Sequence, residues 1–392
     1  MTDPQGPWVA PVEVRERVSR LLCDLVAIPS HGGQEGAIIQ YLMERFARQD
    51  IPCRVTAVDG KPLNVVAEIG QGPRTFLLNS HVDTVPPGDP ALWATDPLIP
   101  VEKNGRIYGR GAEDAKGCLA SMIVAFERLA MRRDALPARV VLMAVGAEER
   151  GGLGTQAEMA KGFTADAAII GESTHLVPML AHKGVLRLEI EVAGRAAHAS
   201  DPDAGINAIV AVAPIVSALD QLAAAVRRRT DPFVGKASLV ISTIAGGVAL
   251  NVIPAQCVIT IDRRVLPQET EADVLGEIVA VVNQALPAAS GATAAIRRVR
   301  FVPPSSTDPG AAIVRAAEEA AARILGRPAP AQGFTATCDM TYLVNQGKIP
   351  TVILGPGSIE VAHQANEYVP VDQLALAVEV YLGTLDAWLT ST

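Results

Sequence analysis

The 392-residue sequence is short of several residue types, and each shortage excludes a class of protein. Aromatic residues make up only 4% of the chain and histidines number six, whereas hydrophobic residues reach 49%. That hydrophobic content excludes intrinsic disorder, which requires low hydrophobicity and high net charge. Lys and Arg total 34 against 42 Asp and Glu. The resulting net charge of -8 argues against a general nucleic-acid binder.

Cysteines, signal sequences and long apolar runs are equally scarce. The five cysteines are dispersed and form no C-x-x-C pair, which predicts free thiols in a reducing compartment. The first residues (MTDPQGPWVAPVEVRERV) lack the basic and apolar regions of a signal peptide. No run of 18 apolar residues occurs, so no membrane span is predicted. We therefore expect a cytoplasmic protein that has neither a nucleic acid nor a membrane as its partner.

Apolar periodicity predicts two domains, one inserted into the other. Strands alternate with helices before residue 183 and again after residue 302, which indicates an α/β domain with a mainly parallel sheet and helices on both faces. Between them the order is strand, helix, strand, strand, helix, strand, the split βαβ pattern of a ferredoxin-like α+β domain. The predicted boundaries are 1–182 and 303–392 for the first domain and 183–302 for the insertion.

Five segments of the α/β domain place polar side chains at or just beyond the ends of strands, where ligands of open α/β sheets bind. They are SHVDTVP at 80–86, YGRGAEDAKG at 108–117, VGAEERGG at 145–152, IIGES at 169–173 and GPGSIEVAHQANE at 355–367. Each segment alone has an ordinary structural explanation, such as acidic residues at a helix N-terminus or a solvated acidic turn. The set of five is more specific than any member.

Together these segments offer two histidines and three carboxylates as metal ligands: His81, Asp114, Glu149, Glu172 and His363. A set of this kind without cysteine suits zinc, cobalt or manganese. One carboxylate shared between two ions would complete two sites of three protein ligands each, an arrangement used for metal-assisted hydrolysis.

Two further carboxylates lie beside the possible ligands. Glu148 leaves an extended backbone on the side opposite to Glu149, so it is free to act as a general base. Asp83 lies two residues after His81 and is placed to hold the second ring nitrogen of that histidine.

The ordered motifs resemble the dinuclear zinc hydrolases that include acetylornithine deacetylase, succinyl-diaminopimelate desuccinylase, aminoacylase and glutamate carboxypeptidase. AAHASDPDAGINAI and NVIPAQCVITIDRRVLP also match, so the resemblance covers nearly the whole chain. It implies two divalent ions bridged by Asp114, one held also by His81 and Glu172 and the other by Glu149 and His363. Zinc is the expected ion, with cobalt or manganese as alternatives. A cis peptide bond after Asp114 is implied as well.

The resemblance also assigns roles outside the metal site. The inserted domain resembles the family's lid and dimerisation domain, which implies a homodimer. His198 resembles the histidine that reaches the partner subunit's active site and stabilises the tetrahedral oxyanion. Arg264 would bind the substrate α-carboxylate, whereas its neighbour Arg263 is expected to be structural or solvent-facing. The residues expected to contact or shape the substrate are Asn251, Arg264, Asp339, Gly355 and Gly357.

Within that family, ESTHLVPMLAHKG, HASDPDAGINAI and FTATCDMTYL look most like acetylornithine deacetylase. We therefore predict an amidohydrolase that removes the acyl group from an N-acyl-L-amino acid by attack of a metal-bridging water activated by Glu148. The alternatives are a dipeptidase or carboxypeptidase, a desuccinylase-like enzyme with the same metal centre, and a non-catalytic homologue. Ser173 where proline is usual, and Ala115 where methionine is common, leave the substrate open.

Overall fold

The computed structural model describes residues 8–391, and its helices and strands lie within this range. Its α-helices are α1 Val12–Val26, α2 Gly36–Ala47, α3 Lys116–Ala130, α4 Leu153–Ala160, α5 Ala208–Val226, α6 Glu271–Ala285, α7 Ala312–Leu325, α8 Met340–Asn345 and α9 Val371–Thr390. The first strands are β1 Cys53–Val58, β2 Lys61–Ile69, β3 Arg74–His81, β4 Val101–Lys103, β5 Arg106–Tyr108, β6 Ala138–Val145, β7 Ala167–Ile170, β8 Met179–His182 and β9 Gly184–Ala193. They are followed by β10 Thr230–Asp231, β11 Gly235–Lys236, β12 Ser238–Gly246, β13 Gln256–Val265, β14 Thr293–Val302, β15 Ser305–Ser306, β16 Gln332–Phe334, β17 Thr351–Ile353 and β18 Tyr368–Pro370.

The chain divides into two compact units. The first unit is formed by the parts of the chain before His182 and after Ser305, and the second unit is His182–Ser305. The boundaries drawn from the sequence differ from these by only a few residues, and the assignment of the second unit as a lid and dimerisation domain stays a prediction.

A mixed sheet forms the centre of the first unit, with the strand order β1-β2-β6-β3-β7-β17-β8. The strands β6, β3, β7 and β17 are parallel, as predicted. The β1–β2 and β2–β6 pairs are antiparallel, so the sheet is less parallel than the sequence suggested. The β1–β2 pair is antiparallel because a tight hairpin at Asp59 and Gly60 joins the two strands, and the positive φ angles of these residues, 50° and 75°, suit such two-residue turns.

Helices cover both faces of this sheet, and two adjacent residues of β3 show why. Leu77 packs in a core with Met340 and Leu343 of α8. Phe76 points the other way and meets Trp388 of α9, with ring centroids 5.3 Å apart. Both β3 residues are at most 1% exposed. Alternate residues of a strand face opposite sides, so a strand that is apolar throughout requires a helical layer on each face.

The parallel strands bring the predicted polar residues to one edge of the sheet. His81 is the last residue of β3 and is paired in register with Val145, the last residue of β6. Glu148 and Glu149 follow β6, and Glu172 follows β7. Because carboxyl ends of parallel strands meet at one edge, these side chains leave the sheet close together.

The second unit has the predicted order β9-α5-β12-β13-α6-β14, with the short hairpin β10–β11 added after α5. Its sheet is antiparallel in the order β12-β13-β9-β14. Helix α5 packs on β9, β12 and β13, and α6 packs on α5 and β14. By length and composition alone, α5 is long and apolar enough to cross a membrane. In the structure its buried residues, among them Ile215 and Leu219, form part of this unit's core.

Candidate metal centre and active site

Two groups of possible metal ligands meet at the sheet edge and share one residue. The first is His81, Asp114 and Glu172, and the second is Asp114, Glu149 and His363. Within each group the ligand atoms lie within 4.8 Å of one another. The structure therefore brings together all five residues selected from the sequence, although His363 is 214 positions away from Glu149 along the chain.

Asp114 has the geometry of a bridge, because its two carboxylate oxygens face different histidines. His81 Nε2 lies 3.1 Å from Asp114 Oδ1 and 3.8 Å from Glu172 Oε1. His363 Nε2 lies 3.1 Å from Asp114 Oδ2 and 2.9 Å from Glu149 Oε1. Two ligand atoms about 2.1 Å from a tetrahedral zinc ion are about 3.4 Å apart, so both groups fit a divalent ion of that size. The peptide bond between Asp114 and Ala115 is cis, as the resemblance implies.

The acidic groups at this edge of the sheet shift the pKa values of the side chains around them. Burial lowers the pKa of His81, but the hydrogen bond with Asp114 and the charge of Glu172 outweigh burial and raise it well above 6.5. Hydrogen bonds with Asp114 and Glu149 raise the pKa of His363 to about 10. Burial raises the pKa of Glu172 well above its ordinary value of 4.5, and the nearby charge of Asp114 adds to that effect. The acidic groups thus favour the protonated form of both histidines at the point where an ion would bind.

Asp83 acts on this site in a way that the sequence did not predict. The ring nitrogen Nδ1 of His81 lies 2.9 Å from the carbonyl oxygen of Asp83, whereas the Asp83 carboxylate is 3.7 Å away, too far for a hydrogen bond. The carboxylate instead accepts the backbone N–H groups of Glu148, at 3.0 Å, and Glu149, at 3.2 Å. One residue therefore orients a ligand through its carbonyl group and fixes the loop of the predicted base through its side chain.

Glu148 lies in a strongly negative setting. Burial and the charge of Asp339 raise the pKa of Glu148 well above 4.5. Asp339 is itself 2% exposed, and its Oδ2 accepts a hydrogen bond of 2.6 Å from the Thr155 hydroxyl. Burial raises the pKa of Asp339 to about 6. The charge of Asp339, which was predicted to shape the substrate pocket, thus acts on Glu148, the predicted base.

Gly355 and Gly357 lie against the ligand loops, where a side chain would not fit. A Cβ atom on Gly355 would come within 2.5 Å of the Glu172 carbonyl oxygen, and one on Gly357 within 2.9 Å of the Glu113 side chain. Gly357 also has φ +86°, a conformation that favours glycine. Ser173 has a partner here that proline would lack, because its hydroxyl donates a hydrogen bond of 3.2 Å to the Glu113 carbonyl.

Two acidic residues near Asp114 lie within the sequence motifs, but the sequence indicated no role for them. Glu113 is fully buried, and within residues 8–391 neither of its carboxylate oxygens has a hydrogen-bond partner. Burial and the charge of Asp114 raise the pKa of Glu113 to about 10, so this side chain is held neutral. Glu367 accepts hydrogen bonds from the backbone N–H groups of Glu113 and Asp114 and pairs with Arg110. Its position after His363 in AHQANE was the available signal.

The remaining predicted residues belong to the second unit. His198 is exposed, and its Nδ1 accepts the backbone N–H of Ser200 at 3.2 Å, with the Ser200 hydroxyl at 2.7 Å. A ring nitrogen that accepts an N–H carries no proton of its own, which assigns the proton of the neutral ring to Nε2. Asn251 is also exposed, and its backbone carbonyl oxygen accepts the backbone N–H of Ala199 at 3.0 Å.

The two neighbouring arginines of β13 behave differently. Arg263 was expected to be structural or solvent-facing; its side chain is fully buried and pairs with Glu269 at 2.5 Å, so it does not face solvent. The Arg264 side chain is 34% exposed, and its Nε donates to Asp262 at 2.8 Å. Among the contacts of the described residues, that bond uses the Nε of Arg264 and neither of its terminal nitrogens.

Comparison with known proteins places this site in a class. The model of peptidase family M20/M25/M40 matches residues 77–387. Acetylornithine deacetylase of Edwardsiella ictaluri is 33% identical over 364 residues, covering 89% of this chain and 91% of that protein. A probable succinyl-diaminopimelate desuccinylase of Staphylococcus epidermidis is 25% identical and covers 94% of this chain and 97% of that protein. The structure of Bacillus subtilis YXEP, described as a dinuclear metal binding peptidase, has a TM-score of 0.73 at 20% identity and covers 97% of this chain and 99% of that one.

The fold and the site define a metal-dependent hydrolase of amide bonds. The chain belongs to peptidase family M20/M25/M40.

Proposed function

We propose that the protein removes the acyl group from an N-acyl-L-amino acid, with N-acetyl-L-ornithine or a close relative as its substrate. The observation that carries the proposal is the pair of three-residue groups joined through Asp114 beside a carboxylate, Glu148, that belongs to neither group. Similarity to a curated deacetylase at 33% identity over most of both chains supports the deacylase over the other family activities.

Two zinc ions fit the donor set, with His81, Asp114 and Glu172 holding one and Asp114, Glu149 and His363 holding the other. When bound, the ions would polarise the substrate carbonyl group and lower the pKa of a water molecule. Imidazole and carboxylate donors without thiolate also suit cobalt or manganese, and the family's dinuclear centres support a count of two.

In this proposal Glu148 carries out the proton transfers, and Asp83 holds it in place. Glu148 accepts a proton from the water whose oxygen bonds to the amide carbon, and later delivers that proton to the leaving amine as the C–N bond breaks. The products are a carboxylic acid and the free amino acid. Asp83 holds the backbone of Glu148, and the raised pKa of Glu148 makes its carboxylate a stronger proton acceptor.

Residues of the second unit would complete the site by recognising the substrate. His198 carries its ring proton on Nε2, so this nitrogen can donate to the developing oxyanion. Arg264 has two terminal nitrogens in the fork geometry that binds a carboxylate in a bidentate manner. An enzyme that acts on free N-acyl amino acids needs such a group for the α-carboxylate.

A homodimer formed through the second unit belongs to the same proposal. Strand β12 lies at an edge of its sheet and exposes Val240 and Ile244, which are 48% and 58% accessible. Val248 and Leu250 are 90% and 106% accessible in the segment that follows. An edge strand with apolar side chains invites pairing with another strand, and a second copy offers the same edge. His198 would then serve the partner subunit's site.

An amine-release assay tests the substrate class. Protein loaded with zinc or cobalt would be given N-acetyl-L-ornithine, other N-acetyl-L-amino acids, N-succinyl-L,L-diaminopimelate and unmodified dipeptides. The proposal expects the highest kcat/KM for an N-acetyl-L-amino acid, and a kcat lowered by about 10²- to 10⁴-fold in the Glu148→Gln variant. Turnover of dipeptides alone would contradict the deacylase and favour the peptidase alternative. A preference for the succinyl substrate would favour the desuccinylase.

A further inference from the structure

The loop that carries Asp114 is joined to the loop that carries His363 by a buried ion pair. Glu367 lies four residues after His363 and is 1% exposed. Its Oε2 accepts a hydrogen bond of 2.5 Å from Nη1 of Arg110, which is 3% exposed. This pair is therefore withdrawn from solvent on both sides, where an ionic hydrogen bond is strong and the loss of one partner is costly.

The second oxygen of Glu367 contacts the ligand loop itself. Oε1 accepts the backbone N–H of Glu113 at 2.9 Å and that of Asp114 at 3.1 Å. The backbone of Glu367 adds a third link, because its carbonyl oxygen accepts the N–H of Gly109 at 3.1 Å. Glu367 thus holds both ends of the segment from Gly109 to Asp114.

The partners of Glu367 are anchored in turn. The Arg110 guanidinium lies 5.2 Å from the centre of the Trp93 ring, and the Arg110 backbone N–H donates to Pro97 at 2.8 Å. The neighbouring Asn366 accepts the N–H of Ala94 at 2.7 Å through its side chain. The arrangement repeats that of Asp83, whose carboxylate also accepts two consecutive N–H groups of a loop at the metal centre.

We propose that Glu367 is a positioning residue of the metal centre. Its carboxylate fixes the backbone of Asp114 relative to the loop of His363 and so sets the separation of two ligands to the same ion. The proposal rests on the dinuclear centre of the proposed function. Some side chains orient a metal ligand without binding the metal themselves. Replacing such a side chain typically lowers the metal affinity by about 10- to 100-fold.

Zinc titration of demetallated variants, followed by calorimetry and by competition with a chelator, tests the proposal. The variants are Glu367→Ala, Glu367→Gln and, as a matched control, Glu127→Ala. Glu127 is also 1% exposed and pairs with Arg17 and Arg45, but it lies on α3 away from both ligand groups. Its replacement reports the general effect of losing a buried carboxylate in the same unit.

Glu367→Ala is expected to weaken the binding of one of the two ions by about 10- to 100-fold. Glu367→Gln keeps an acceptor oxygen for the two N–H groups and should restore part of that loss. Glu127→Ala should lower Tm and leave both zinc affinities unchanged. If Glu367→Ala does not fold, Glu367→Gln is compared with Glu127→Gln in the same titration.

Unchanged affinities in the Glu367 variants would overturn the positioning role, and so would an equal loss in the Glu127 control. A parent protein that binds fewer than two ions would overturn the dinuclear centre instead, so the two failures are distinguishable.

Discussion

Zinc binding to the apoprotein should release protons, and the two histidine ligands set the number. Nε2 of His81 lies 3.1 Å from one oxygen of Asp114, and Nε2 of His363 lies 3.1 Å from the other. These contacts raise the pKa of His81 well above 6.5 and that of His363 to about 10. These shifts favour the charged form of both rings, with a proton on the nitrogen that an ion needs, and a metal ion binds only the neutral ring.

The expected magnitude follows from this competition. Each ion should displace at least one proton from its histidine, so two ions should release at least two protons per chain at pH 7. The apparent affinity for each ion should rise with pH, because protons become weaker competitors. His363 is half-exposed, so solvent weakens its interaction with Asp114. The zinc affinity of the group that contains His363 should therefore stop rising at a lower pH than that of the group that contains His81.

Isothermal titration calorimetry in two buffers of different ionisation enthalpy measures the protons released. For complete loading, the binding enthalpies in the two buffers should differ by at least twice the difference between the ionisation enthalpies of the buffers. A His363→Ala variant should bind one ion and release about one proton fewer. Equal enthalpies in both buffers, or affinities that do not change with pH, would refute the reasoning.

Three further outcomes are expected. Glu148→Gln should lower kcat by about 10²- to 10⁴-fold and leave the zinc content unchanged, and metal analysis combined with the amine-release assay checks both; retained turnover would remove Glu148 as the base. Burial lowers the pKa of His182 to about 4, so the unfolded state binds more protons than the folded state between pH 4 and 6.5. The free energy of unfolding should therefore fall by about 2 kcal/mol from pH 7 to pH 5, and His182→Phe should abolish that contribution in denaturant titrations. If the proposed dimer forms, Ile244→Asp on β12 should convert it to a monomer in sedimentation velocity and reduce kcat at unchanged zinc content. A fully active monomer would exclude a catalytic role for His198 of the partner subunit.

The sequence was most informative where chemistry coincides with strand ends. His81 ends an apolar strand, and Glu149 and Glu172 follow apolar strands. The parallel arrangement of these strands was recognisable, and parallel strands bring their carboxyl ends together. The order of elements in the second unit was predicted for a similar reason, because each element of a split βαβ unit has its own apolar periodicity. The antiparallel β1–β2 hairpin was not predicted, although its D-G turn is a hairpin signal.

The contacts around the ligands depend on tertiary structure that spacing does not reveal. The i, i+2 spacing of His81 and Asp83 suggested a contact between their side chains, but the carbonyl group of Asp83 holds the ring and its carboxylate turns to the loop after β6. Glu367 bonds to residues 253 and 254 positions away, so no local pattern connects it with Asp114. Hydrogen bonds between loops that are far apart in the sequence are therefore the part of the site that the sequence does not predict.

The most direct test of a dinuclear metal hydrolase is the dependence of activity on the number of ions bound. Protein stripped of metal with a chelator would be titrated with zinc, and hydrolysis of N-acetyl-L-ornithine would be measured at each ratio of bound zinc to chain. We predict no turnover without zinc and a maximum rate when two ions are bound per chain. Full activity without bound metal, or no turnover of any N-acyl amino acid when two ions are bound, would contradict the assignment.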